Sequence, residues 1–139
     1  MKKSGVGILV FTFFIFACFT AYASGTKTTM DHSTHTGKKI HEAIVQGYRL
    51  AYHLLELPGN NLHHLMVYIM DQKGDVVVKG KVGYLIEGPD GSKQKVMAAP
   101  MKESFGGNVN FQIRGTYKIQ TKAVFEDKKL LDQFIFEIK

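Results

Sequence analysis

Apolar and polar positions alternate through most of the chain beyond residue 45. Successive side chains of a β-strand point to opposite faces, so this pattern predicts strands that each lay one face on a core. The clearest stretch runs from Asn61 to Asp71. Leu65, Val67 and Ile69 form a core row. His64, Met66, Tyr68 and Met70 form the opposite row, which is apolar yet carries an imidazole and two thioethers. Upstream, Tyr48, Leu50, Tyr52 and Leu54 alternate with Arg49, Ala51, His53 and Leu55. Helical spacing competes there through Ile40, Ile44, Tyr48, Ala51 and Leu55. Gly47 and the two tyrosines favour a strand from Val45 onward, with a short helical turn over 40–44. Arg49 in the same row places His53 at the surface. Pro58-Gly59-Asn60-Asn61 is a turn that pairs the two runs as a hairpin.

The same grammar continues to the C-terminus. Val82, Tyr84 and Ile86 point inward from Lys79–Glu87, and Lys93–Met97 alternates again. Val109, Phe111 and Ile113 define another inward row. Tyr117, Ile119, Thr121, Ala123 and Phe125 define the next, and Phe134, Phe136 and Ile138 the last. Gly88-Pro89-Asp90-Gly91 is the strongest turn, because proline presets the bend and glycine accepts positive φ. Phe105-Gly106-Gly107-Asn108 reads as a further break. With no long amphipathic helix between the strands, the chain is expected to be all-β: an immunoglobulin-like antiparallel β-sandwich of about seven strands over 40–139. Gly115-Thr116-Tyr117 has the form of a tyrosine corner, although no Cys-Trp-Cys framework accompanies it.

The N-terminus has another character. Lys2 and Lys3 precede an apolar run from Val6 to Phe19, and Ala21-Tyr22-Ala23 supplies a small-x-small cleavage pattern. Residues 1–23 are therefore expected to be a secretory signal peptide, and the protein periplasmic or otherwise exported. Ile15-Phe16-Ala17-Cys18 offers a lipoprotein alternative through Cys18, which the bulky Phe16 disfavours. Cleavage after Ala23 removes the single cysteine, so any soft metal ligand in the mature chain is methionine. Residues 24–39 are polar and small, as in a flexible tail.

The formal charge of +6 implies little about nucleic acid. The lysines are scattered and alternate with other residues, as at Lys79/Lys81 and Lys93/Lys95, which predicts a solvated sheet face, not a basic stripe. Enzyme signatures are missing from the sequence: no nucleophile elbow, phosphate loop, dinucleotide fingerprint or His-Glu-x-x-His helix occurs, and no paired acid and base stands out. The expectation is a protein that is not an enzyme.

Histidine and methionine carry the remaining chemistry. All six histidines lie between His32 and His64. His53 faces His63 and His64 across the hairpin turn, so the three are candidates for a nitrogen set. Met97 and Met101 flank Pro100 and are candidates for sulfur ligands. Met30, His32 and His35 form a second soft cluster in the tail. Thioether selects Cu(I), while imidazole also takes Cu(II) or zinc. Copper is the expected ion and zinc the lesser alternative.

The runs His63–Ile69 with Gly74, Val82–Gly91, Met97, Phe105-Gly106 and Gly115-Thr116-Tyr117 together resemble small exported bacterial β-sandwich proteins of the YtkA-like and FixH-like type. The resemblance spans Gly47 to Lys139. It implies a role in copper or other metal homeostasis, or in cytochrome oxidase assembly. The chain departs from copper chaperones in lacking a His-x-Met signature near the C-terminus, and from blue-copper proteins in lacking a mature cysteine. The expectation is an exported copper carrier, buffer or sensor module. The alternative is an interaction module without metal that docks on a membrane-bound partner.

Overall fold

A computed structural model describes residues 36–58 and 61–139. The expected signal peptide and the tail cluster of Met30, His32 and His35 lie outside the described residues. Eight strands make up the fold: β1 (Lys38–Val45), β2 (Tyr48–Glu56), β3 (Leu62–Met70), β4 (Lys81–Glu87), β5 (Lys93–Pro100), β6 (Phe105–Asn110), β7 (Gly115–Phe125) and β8 (Lys128–Ile138). They form one antiparallel sheet in the order β1-β2-β3-β6-β5-β4-β7-β8, with no helix among the described residues. The all-β class expected from alternation is what the chain adopts, with eight strands in place of about seven.

The additional strand is β1, where the sequence suggests the end of a tail and a helical turn. Val45 pairs with Tyr48 across Gln46-Gly47, and both loop residues have positive φ, at 50° and 82°. Two such residues make the tight loop whose twist matches flanking strands. The register of β1 slips between Lys39 and His41. One extra residue shifts the inward positions out of period two, and the broken alternation imitates helical spacing. The same bulge sets His41 opposite the inward-facing Tyr52.

The sheet folds over on itself at β5. Lys93 to Ala98 pair with β4, whereas Ala99 and Pro100 pair with β6. Inward rows from both halves meet in one core. It holds Leu50, Tyr52, Leu54, Leu65, Val67 and Ile69 from β2–β3, and Val82, Tyr84, Ile86, Ile119, Leu130 and Phe134 from the other half. Each such aliphatic or aromatic side chain contributes about 1.5–3 kcal/mol on burial. The Tyr84 hydroxyl donates to Phe105 O at 3.1 Å and ties β4 to β6 across the core. Tyr117 Oη donates to Ile113 O at 2.7 Å and accepts from Ile113 N at 3.1 Å. That is the hydrogen-bonding pattern of a tyrosine corner.

The two ends of the sheet approach each other and nearly close it into a barrel. The His41 ring stacks on Phe134 of β8 at 4.3 Å and 12°. Tyr52 Oη donates to Asp132 Oδ2 at 2.9 Å, and His41 Nε2 stands 3.7 Å from the same oxygen. Gln46 Nε2 donates to Lys129 O at 3.1 Å. Burial pushes the Tyr52 hydroxyl well above the usual tyrosine range, so it stays protonated and remains a donor.

Candidate metal centre

His63 and His64 are neighbours on one strand, so they face opposite ways. His63 continues the inward row: its ring lies 5.3 Å from Phe111, and Nδ1 stands 3.2 Å from Asn61 O. His64 continues the outer row with Met66 and Tyr68. The expected three-histidine set is therefore not assembled on one face. The hairpin register also separates it. His53 pairs with Met66, while Leu55 pairs with His64 and Glu56 with His63. His53 is buried, at 2% exposure, in place of the expected surface position. Its ring meets Tyr68 edge-on at 5.1 Å, and its Nδ1 is 3.4 Å from Gly37 O. Arg49 begins the same row at the far end of β2, and exposure does not extend from it to His53. Ala51 and Met66 beside it are buried as well.

His64 does meet a sulfur. β3 pairs with β6, which sets His64 opposite Asn108 and Met66 opposite Gly106. After Pro100 the chain turns tightly, with Met101 N donating to Ser104 O at 2.7 Å. This turn lays the Met101 side chain back over β6. His64 Nε2 and Met101 Sδ stand 3.5 Å apart. The space they occupy exists because position 106 has no side chain: a β-carbon there would lie 2.7 Å from Met101 Sδ and would collide with His64 Nε2. His64 Nδ1 lies 2.8 Å from Asn108 Oδ1. With that oxygen as acceptor, Nδ1 carries the hydrogen and the Nε2 lone pair is directed toward the sulfur. Fixing the far nitrogen by a polar neighbour is how protein metal sites orient a ligating imidazole.

The pair fits a soft ion. With metal–nitrogen and metal–sulfur bonds of about 2.0 and 2.3 Å, this separation corresponds to an angle of about 109°, the tetrahedral value. A neutral imidazole with a thioether suits Cu(I) better than hard cations. Among the described residues no group of three or more His, Cys, Asp or Glu side chains gathers to hold an ion. Among the described residues the candidate site therefore offers two possible ligands, His64 and Met101, both partly open to solvent.

No family model and no curated protein matches this sequence. Among solved structures the chain is similar to the crystal structure of the bromine derivative of BhCBM56, with a TM-score of 0.49 and 8% identity, over 73% of this chain and 100% of that one.

Met97 stands apart from His64. Its sulfur rests over Gly83 of β4, 3.5 Å from where a β-carbon would be, and the residue is 72% exposed. Pro100 does not aim both sulfurs one way. β5 passes from β4 to β6 just before it, so Met97 stays over β4 and Met101 over β6. Met66 and Met70 are buried on the outer row. Two further contributors escape the sequence reading. Gly106 and Asn108 sit in a stretch that reads as a turn but forms strand β6. Glycine in a strand often marks close approach by another group, and here that group is the His64–Met101 pair.

Proposed function

We propose that this is an exported metal-binding protein that takes up copper as Cu(I) through His64 and Met101, as a carrier or buffer and not as an enzyme. The observation that carries the reading is the nitrogen–sulfur pair at 3.5 Å above Gly106, with the imidazole oriented by Asn108. Two ligands among the described residues leave the ion accessible, which suits transfer to an acceptor more than permanent storage. Met30, His32 and His35 of the tail would serve in capture or delivery. The tyrosine corner and the fold-over at β5 support an immunoglobulin-like sandwich as the finer description of the all-β fold.

The test is a titration of the purified protein with Cu(I) and Cu(II) against a competing chelator, beside His64→Ala, Met101→Leu and His63→Ala variants. The expected result is Cu(I) binding that falls at least tenfold in His64→Ala and in Met101→Leu and is unchanged in His63→Ala. Cu(I) binding unchanged in the first two variants would remove this site. A protein that binds neither ion would leave the interaction-module reading in its place.

A further inference from the structure

A second surface lies on the outer face of β4, β5, β7 and β8, where the ladder registers stack the outward residues in rows. Met97, Gly83, Lys122 and Leu131 make one row. Lys95, Leu85, Gln120 and Gln133 make the next. Lys81 with Val124, and Lys93 with Lys118, extend the lattice on either side. Lysines that are scattered in sequence thus share one face. Glu87 meets Lys118 there at 3.6 Å. Lys81, Lys95 and Lys122 are exposed and appear in none of the ion pairs found among the described residues.

The face is hollowed. A trough of about 820 Å³ crosses it, within the size range of small-molecule sites. Lys81, Lys95 and Lys122 line it together with Leu85, Met97 and Leu131, and Asp132 borders it too, with its carboxylate engaged by the Tyr52 hydroxyl. Its floor is Gly83. This glycine answers to no demand of the fold: its φ is not positive, and a β-carbon would meet only Met97 Sδ at 3.5 Å and Val96 O at 3.7 Å, both ordinary contacts. Glycine weakens a strand interior relative to residues with a side chain, and its presence there often marks a place where a ligand approaches the backbone. Gly106 and Gly107 differ, since protein atoms already fill the space above each. Met97 and Leu131 are 72% and 58% exposed and leave apolar surface on either side of the floor. No aromatic ring stands on the lattice rows to stack on a sugar or a base.

We infer that this trough binds a single-chain anionic amphiphile. The aliphatic chain would lie over Gly83 between Met97, Leu85 and Leu131, with a phosphate or carboxylate head held by Lys81, Lys95 and Lys122. Charge complementarity selects the head, and the apolar floor selects the chain. The site shares neither ligand of the copper pair, so the two readings stand or fall separately.

The experiment is calorimetric titration of the full chain with dodecyl phosphate below its micelle concentration. Inorganic phosphate, dodecyltrimethylammonium and phosphatidylglycerol vesicles serve as comparison arms. Saturable binding of dodecyl phosphate is expected, at least tenfold tighter than of either small comparison probe. Gly83→Val should weaken it at least tenfold while the melting temperature holds or rises, and Lys95→Glu/Lys122→Glu should weaken it similarly. Unchanged binding in Gly83→Val or in the lysine variant would overturn the inference. So would equal affinity for the cationic amphiphile or for phosphate alone, or binding to vesicles without binding to monomeric dodecyl phosphate.

Discussion

The outer faces of the two halves of the sheet contrast sharply. On β2 and β3 the outward residues Ala51, His53, Met66, Tyr68 and Met70 are buried, while Arg49, Leu55 and His64 at the ends of the rows are not. On β4, β5, β7 and β8 the outward rows are lysines, glutamines and exposed aliphatic side chains. Both halves obey the same period of two, and both turn their inward rows to one core. They differ in what the outward row was built to meet. The first face is buried through its middle, where His53 pairs with Met66 in register. The second keeps its water and carries charge. The chemistry of the first suits soft partners and that of the second suits anions, and the proposed copper pair, His64 and Met101, sits at the margin of the first face where β6 joins it.

A charge tests this contrast most severely. Met66→Lys would place an ammonium among buried side chains and should cost at least about 3 kcal/mol of unfolding free energy. Leu131→Lys on the other face should stay within about 0.5 kcal/mol. Equal losses in urea denaturation would show that the two faces are alike in burial.

The seam that joins the halves gives the next effect. Tyr52→Phe removes the donor to Asp132 and should cost about 1–3 kcal/mol, because the carboxylate oxygen loses a partner in a half-buried site. Burial raises the hydroxyls of both Tyr52 and Tyr84. Their folded values lie above the unfolded one, so the stability linked to them is complete below about pH 10 and declines as pH rises beyond it. Tyr84→Phe should flatten that alkaline decline in a series of melting curves, and an unchanged slope would contradict the assignment.

Gly106→Ala sharpens the chemistry of the first face. The added methyl must push apart the ends of two flexible side chains, so the fold should lose no more than about 1 kcal/mol. Cu(I) affinity should fall about tenfold, a change of about 1.4 kcal/mol in binding. Competition with a chelator measures it, and unaltered affinity would separate Gly106 from the site.

The smallest effect lies at the β4–β5 turn, at one end of the lysine face. Hydrogen bonds from the Ser92 hydroxyl and backbone hold the Asp90 carboxyl below its ordinary value. A lowered folded value adds stability above the unfolded one, and that contribution is lost as pH falls through the folded value. Asp90→Asn should therefore lower the melting temperature slightly at neutral pH, leave the acid value almost unchanged, and so flatten the acid dependence.

Alternation made the inward rows of β2, β3, β4 and β7 legible, since each is set by neighbours two residues apart. The Tyr117 corner was legible for a similar reason, because its partner Ile113 is four residues away. β1 was obscured by the bulge at Ile40, which breaks the period on which the reading depends. The glycines of β6 have the signature of a turn, because a sequence does not distinguish glycine that bends a chain from glycine that makes room for a neighbour.

What the chain determined by itself was local: an all-β fold, the inward rows of β2, β3, β4 and β7, and the histidines and methionines that are candidate soft ligands. The row expected through Val109, Phe111 and Ile113 ends at Phe111, since Ile113 is exposed. Only the tertiary structure decided which ligands meet. His63 and His64 part because strand neighbours face opposite sides, and His53 falls opposite Met66 because the hairpin sets that register. His64 finds Met101 because β3 pairs with β6, a contact between segments 37 positions apart. The lysines gather on one face because β4 pairs with β7 and so aligns the outward rows of two hairpins, β4–β5 and β7–β8. Pairing and register are properties of the assembled sheet, fixed by burying all the inward rows at once, and no single stretch contains them.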